Sequence, residues 1–260
     1  MGRITDALKK ATEERLQRIE RIAKIEEKEQ IIIRKLGDSQ IDSRVVAYFD
    51  PKSPITEQYK ILRTNILSSK NKPLKTIVIT SSVHSEGKTV TALNLAIAMA
   101  QAINNPKIIL IDADLRRGRL ARYLGIKQHV GLSELLRGQA SLAETLFNMD
   151  LENLTFISSG LVPSNPVELL GSERMKNLLS ELKSKFDYIL IDTPPLISVT
   201  DPGILGSQAD GVLMVIQAGR TQRGVVRHAT ELLHQAQARL LGYVLTNIEY
   251  HLPEYIYRYL

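Results

Sequence analysis

Cysteine is absent from these 260 residues. This excludes disulfides and thiolate metal sites and fits a reducing compartment. No stretch approaches the ~20 apolar residues of a membrane span, and the N-terminus lacks the apolar core of a signal peptide. The expectation is therefore a cytoplasmic protein. Tryptophan is missing too, while nine tyrosines are present. Acidic charge is in deficit: 34 Lys and Arg against 28 Asp and Glu leave a net charge of +6. The basic residues are spread out and no nucleic-acid motif accompanies them, so no nucleic-acid partner is expected. Arg116-Arg117-Gly118-Arg119-Leu120-Ala121-Arg122 is the one dense cluster, and its place directly after Asp114 suggests a role near phosphate or a neighbouring subunit. The five histidines show no ligand spacing.

What is present centres on Ser82-Val83-His84-Ser85-Glu86-Gly87-Lys88-Thr89, which follows the strand-like run Thr76-Ile77-Val78-Ile79-Thr80 and precedes a helix-forming segment. A Gly-Lys-Thr between a buried strand and a helix aims backbone N–H groups at one point, where the helix N-terminus adds about half a positive charge. The stretch reads as a phosphate-binding loop of the form G-x-x-x-x-G-K-[ST], with Ser82 where the first glycine would be. The expected nucleotide-binding residues are Ser82, Val83, His84, Ser85, Glu86, Gly87, Lys88, Thr89 and Val90. Lys88 would reach the terminal phosphates, and the Thr89 hydroxyl is placed to ligate Mg²⁺.

Two later segments, Ile108-Ile109-Leu110-Ile111-Asp112-Ala113-Asp114 and Tyr188-Ile189-Leu190-Ile191-Asp192-Thr193-Pro194-Pro195, are apolar runs that end in aspartate. Such runs suit strands covered by helices on each side. Ligands of these sheets sit beyond the carboxyl ends of the strands, where Asp112, Asp114 and Asp192 would emerge. A chance Gly-Lys-Thr in a tight turn would not bring these carboxylates with it.

The rest of the chain divides around that core. Residues 1 to 36 carry Ile4, Leu8, Ala11, Leu16, Ile19 and Ile22 at roughly helical spacing and form an expected amphipathic helix. Residues 37–53 read as a linker. Residues 54–249 hold the nucleotide-binding domain, and 250–260 form a tail containing Tyr250, Tyr255, Tyr257 and Tyr259. A helix runs from Pro54 to Ser69, with Glu57, Lys60 and Arg63 on one face. Beyond Leu74 strand and helix signals alternate, predicting strands over 76–80, 107–111, 154–158, 188–191, 211–216 and 242–247. Helices are expected over 88–103, 166–184 and 222–238. The fold class is α/β: a parallel sheet of the P-loop NTPase type with helices on both faces, plus an N-terminal helical extension.

The loop, the Ile-Leu-Ile-Asp-Ala-Asp-Leu-Arg run to Arg116, the Asp192-Thr193-Pro194-Pro195 run and the tyrosine tail together resemble the bacterial tyrosine kinases. These are cytoplasmic autokinases of capsule and exopolysaccharide loci. Gly131-Leu132-Ser133-Glu134-Leu135-Leu136, Pro163 to Leu170 and Asp210-Gly211-Val212-Leu213 look like family segments in family order, so the resemblance covers roughly residues 54 to 260. It implies that Lys88 and Thr89 belong to the Walker A loop, Asp112 and Asp114 to Walker A′, and Asp192 to Walker B. It further implies ATP and Mg²⁺, with Lys88, Asp112 and Asp114 catalytic, Thr89, Asp112 and Asp192 around the metal, and the four tail tyrosines as phosphoacceptors. Glu57, Lys60 and Arg63 resemble the family's E-x-x-R-x-x-R self-association motif, with Lys60 replacing its first arginine. His84-Ser85 stands where the family usually has Pro-Gly, and a Ser85 with positive φ would carry strain that glycine escapes.

The partners so implied are a transmembrane polysaccharide co-polymerase that activates the kinase at the inner face of the membrane, a cognate tyrosine phosphatase, and further copies of the chain. Two other readings share the architecture. One is a positioning ATPase of the MinD/ParA type, whose signature lysine would stand at Val83; the other is a nucleotide-binding, non-catalytic subunit of a polysaccharide export machine.

Overall fold

The computed structural model describes residues 34–35, 41–68, 74–126, 130–148, 151 and 153–248. The expected N-terminal helix lies outside them except at Arg34–Lys35, which form a strand, β1. The tail tyrosines Tyr250, Tyr255, Tyr257 and Tyr259 also lie outside.

Apolar runs become the centre of one sheet. The further strands are β2 (Thr76–Ser81), β3 (Ile108–Asp112), β4 (Leu146–Asn148), β5 (Leu154–Ile157), β6 (Tyr188–Asp192), β7 (Gly211–Gln217) and β8 (Leu240–Thr246). They are ordered β1-β4-β5-β3-β6-β2-β7-β8. In β2, β3 and β5 every residue is buried, so consecutive side chains pointing to opposite faces are all covered. The strands expected from the sequence pair in parallel, and the structure adds β4, which was not among them and runs antiparallel to β5. Only residues 149–153 join the two, too few for a parallel crossover but enough for a hairpin-like return.

Helix Lys88–Ala100 is buried at every position except Lys88 and Val90. It packs on Ile77 and Ile79 of β2, Ile108 and Leu110 of β3, and Phe156 of β5, all of them buried. Each such side chain contributes about 1.5–3 kcal/mol by leaving water.

The linker reading fails over residues 41–53. Val45 and Ala47 are fully buried, and Val46–Phe49 is helical. The reason is Asn94, a polar residue on the buried helix whose amide needs partners. Its Oδ1 accepts from the Ala47 N–H, and its Nδ2 donates to the Arg44 and Val90 carbonyls. The single helix expected over 166–184 is two, Pro166–Leu170 and Glu173–Lys185. Between them Ser172 caps the second by accepting from the Met175 N–H.

Candidate nucleotide site at the strand ends

The register of the central strands assembles the site. Asp112 and Asp192 are paired neighbours on β3 and β6, and Asp192 also stands beside Ile79 of β2. Chain leaving β2 forms the loop and enters helix Lys88–Ala100 through Gly87, whose φ of +89° is left-handed. Ser85 has φ +66°, so the expected strain is present in a residue with a Cβ.

Glu86 is almost fully buried and faces inward. Its Oε2 accepts from the Ser82 hydroxyl and the Val83 N–H, each at 2.8 Å. Its Oε1 accepts from the Gln217 N–H at 3.2 Å and from the Thr221 hydroxyl. Thr246 Oγ1 donates to the Glu86 carbonyl at 2.8 Å. The Glu86 carboxylate thus ties the loop to the end of β7 and its main-chain carbonyl ties it to the end of β8, and the Glu86 side chain and the Val83 N–H are committed to holding the loop's shape. His84 Nε2 lies 3.2 Å from Ser198 Oγ, and the Arg220 guanidinium donates to the Ser85 carbonyl at 3.5 Å. Pattern reading missed Gln217, Thr221, Arg220, Ser198 and Thr246, which are remote in sequence and carry no motif.

Lys88 Nζ lies 3.1 Å from Asp114 Oδ2 and 3.8 Å from Asp192 Oδ1. Burial works against the lysine's charge, but Asp192, Asp114 and Asp112 outweigh it and hold its pKa above the ordinary value. The Thr89 hydroxyl donates to Asp192 Oδ2 at 2.6 Å. Asp112 has no exposed surface, and its oxygens accept from the N–H groups of Asp114 and Leu120. Burial, followed by the neighbouring Asp192, raises its pKa to about 7. Asp192 is raised as well, by burial first, with Lys88 and the Thr89 hydroxyl pulling the other way. A cleft lined by His84, Ser85, Gly87, Lys88, Thr89, Val90, Asp114, Arg117, Arg119 and Tyr123 opens on this cluster.

The chain's likenesses agree with that geometry. Residues 74–240 match the family model described as AAA domain. Tyrosine-protein kinase YwqD of Bacillus subtilis is 37% identical over 214 residues, covering 82% of this chain and 90% of YwqD. The chain belongs to the bacterial tyrosine kinases. Among solved structures, the chimerical protein CapA2B2 superposes with a TM-score of 0.77 at 31% identity, covering 85% of this chain and 97% of that one. The kinase domain of Escherichia coli tyrosine kinase ETK gives 0.73 at 28%, covering 80% and 83%.

In this bacterial tyrosine kinase the donors present suit magnesium. Asp192 Oδ1 is buried without a hydrogen-bond partner, beside the Thr89–Asp192 pair. Among the described residues no cluster of three or more His, Asp or Glu is arranged to hold an ion by protein alone. One hydroxyl and one carboxylate, completed by water and phosphate oxygens, is the donor set Mg²⁺ favours. Among the described residues no helix is long and apolar enough to cross a membrane.

The expected self-association residues sit on helix Pro54–Leu67, apart from this cleft. Lys60 Nζ contacts Glu57 Oε1 and donates to the Pro51 carbonyl. Arg63 donates at 2.7 Å to the carbonyl of Ala98, in the last turn of helix Lys88–Ala100, where carbonyls lack helical partners and the helix end is negative.

Proposed function

We propose that this kinase transfers the γ-phosphoryl group of ATP to tyrosines of its own C-terminal segment, Tyr250, Tyr255, Tyr257 and Tyr259, within capsule or exopolysaccharide production. The observation that carries the reading is the single cluster of Lys88, Thr89, Asp114 and Asp192 at the ends of neighbouring strands.

In this reading the loop N–H groups and Lys88 hold the β- and γ-phosphates, and Thr89 and Asp192 would hold Mg²⁺, supported by Asp112, the register neighbour of Asp192. The bound ion neutralises the charge of the phosphate oxygens. The phenol oxygen bonds to the γ-phosphorus while the bond from that phosphorus to the β–γ bridging oxygen breaks, and ADP departs with the electron pair. A phenol near pKa 10 and an ordinary carboxylate near 4 differ by ~6 units, so removing the proton first would cost about 8 kcal/mol. The acceptor proton therefore moves late, to the Asp114 carboxylate. Asp114, which lines the cleft, suits the orienting role better than Asp112, which has no exposed surface.

A transmembrane polysaccharide co-polymerase as activator, a phosphatase that resets the tail and self-association through the Glu57–Lys60–Arg63 helix face belong to the same proposal. So does a cytoplasmic location at the inner face of the membrane. Each phosphate adds nearly two negative charges, so a heavily phosphorylated tail repels its neighbours and loosens the assembly.

The test is phosphosite mapping of the purified chain with Mg-ATP, alone and with an activator segment. The parent protein is expected to acquire tail phosphotyrosine, and Lys88→Ala to lose about 10²–10³-fold in rate. Equal labelling of Lys88→Ala would end the in-cis kinase reading. Partner-stimulated phosphate release without phosphotyrosine would point to a positioning ATPase. Nucleotide binding with neither would point to a non-catalytic subunit.

A further inference from the structure

Three arginines follow Asp114 closely, and the structure treats them differently. Arg116 pairs with Asp201, which is fully buried, at 3.1 Å. Arg117 and Arg119 are exposed and line the cleft together with Lys88 and Asp114. Among the described residues no acidic side chain forms an ion pair with either, whereas Arg44 is paired with Asp42 and Arg137 with Glu134. An uncompensated pair of guanidinium forks beside a site is an anion-recognition element.

Their backbone is fixed by the site's own aspartates. The Arg117 N–H donates to Asp114 Oδ1 at 2.9 Å, and the Leu120 N–H donates to Asp112 Oδ2 at 2.9 Å. Between the two arginines, a Cβ on Gly118 would stand 1.9 Å from Ser159 Oγ and 2.9 Å from Asp112 Oδ2. Only glycine lets the chain pass this close, so both arginines leave the backbone from a fixed platform at the cleft wall.

The sequence supplies a matching charge pattern. Glu249 directly precedes Tyr250, and Glu254 directly precedes Tyr255. Tyr257 follows Ile256, and Tyr259 follows Arg258. We propose that Arg117 and Arg119 form an acceptor-side subsite that binds the acidic residue immediately before the acceptor tyrosine, and so select Tyr250 and Tyr255 over Tyr257 and Tyr259. This rests on the kinase reading above and names its preferred substrate class, a tyrosine preceded by a carboxylate.

The test follows the initial rate of phosphorylation at each tail tyrosine by mass spectrometry, using the full chain with Mg-ATP. Tyr250 and Tyr255 are expected to lead Tyr257 and Tyr259 by about fivefold, the worth of one partly exposed ion pair. Arg117→Gln/Arg119→Gln is expected to erase the lead without a matching loss of MgADP affinity. Glu254→Gln is expected to slow Tyr255 alone. A lead that survives the double substitution overturns the proposal, as does a matching loss of MgADP affinity, which would assign these arginines to the nucleotide. Equal rates at all four tyrosines in the parent refute the subsite and leave the kinase reading intact, whereas no phosphotyrosine at all refutes that reading and the subsite with it.

Discussion

In β2, β3 and β5 every residue is buried, whereas β8, at the edge of the same sheet, has none that is. The contrast separates two tasks. Central strands, held on both faces, fix where Asp112 and Asp192 stand relative to each other, because their register leaves no freedom to slide. The edge strand adds little apolar burial but reaches the phosphate loop through Thr246, whose hydroxyl donates to the Glu86 carbonyl. Precision at the site thus comes from the middle of the sheet, and the shape of the loop is tied down partly from its rim.

The largest effect is expected at the centre. Phe156→Ala removes a side chain buried between β5 and helix Lys88–Ala100, and a loss of about 3–5 kcal/mol is expected in chemical denaturation. A small loss would mean that the core closes over the cavity and that central burial does not set the geometry. Next comes the tie between rim and loop. Glu86→Ala strands two backbone N–H groups and two hydroxyls, so a loss of about 1–3 kcal/mol is expected. Because the loop then loses its shape, MgADP affinity should fall roughly tenfold, with Glu86→Gln intermediate since its amide keeps one acceptor. Calorimetric titration decides it: parental affinity in Glu86→Ala would show that Glu86 is incidental to the loop.

What could be read from sequence follows the same division. The apolar runs ending in Asp112 and Asp192 declare central strands because burial on both faces removes polar residues from them. The loop's Gly87-Lys88-Thr89 is legible because phosphate chemistry dictates residue type and spacing. Illegible were features whose cause lies far along the chain. Glu86 looks like a loop residue until Gln217, 131 positions away, arrives beside it. The polar stretch before Pro54 reads as linker because nothing local announces that Asn94 will recruit it. β4, at three residues, is too short to show a period, so the antiparallel turn of the sheet could not be foreseen. The break at Gly171-Ser172 was legible and overlooked, since a serine three residues before Met175 is an ordinary helix-start signal.

The smallest effect tests the rim itself. Leu245 lies on β8, exposed beside exposed Tyr243, and among the described residues its strand pairs with β7 alone. A leucine that stays in water gains nothing from folding, and threonine suits an extended edge at least as well, so Leu245→Thr should change stability by less than about 0.5 kcal/mol. Denaturation at low and high protein concentration measures this. A loss above about 1.5 kcal/mol that grows with concentration would mean that β8 is covered by another copy in solution, because only burial makes a surface leucine that costly to replace. The contrast between centre and rim would then hold for the isolated chain and fail for the assembly.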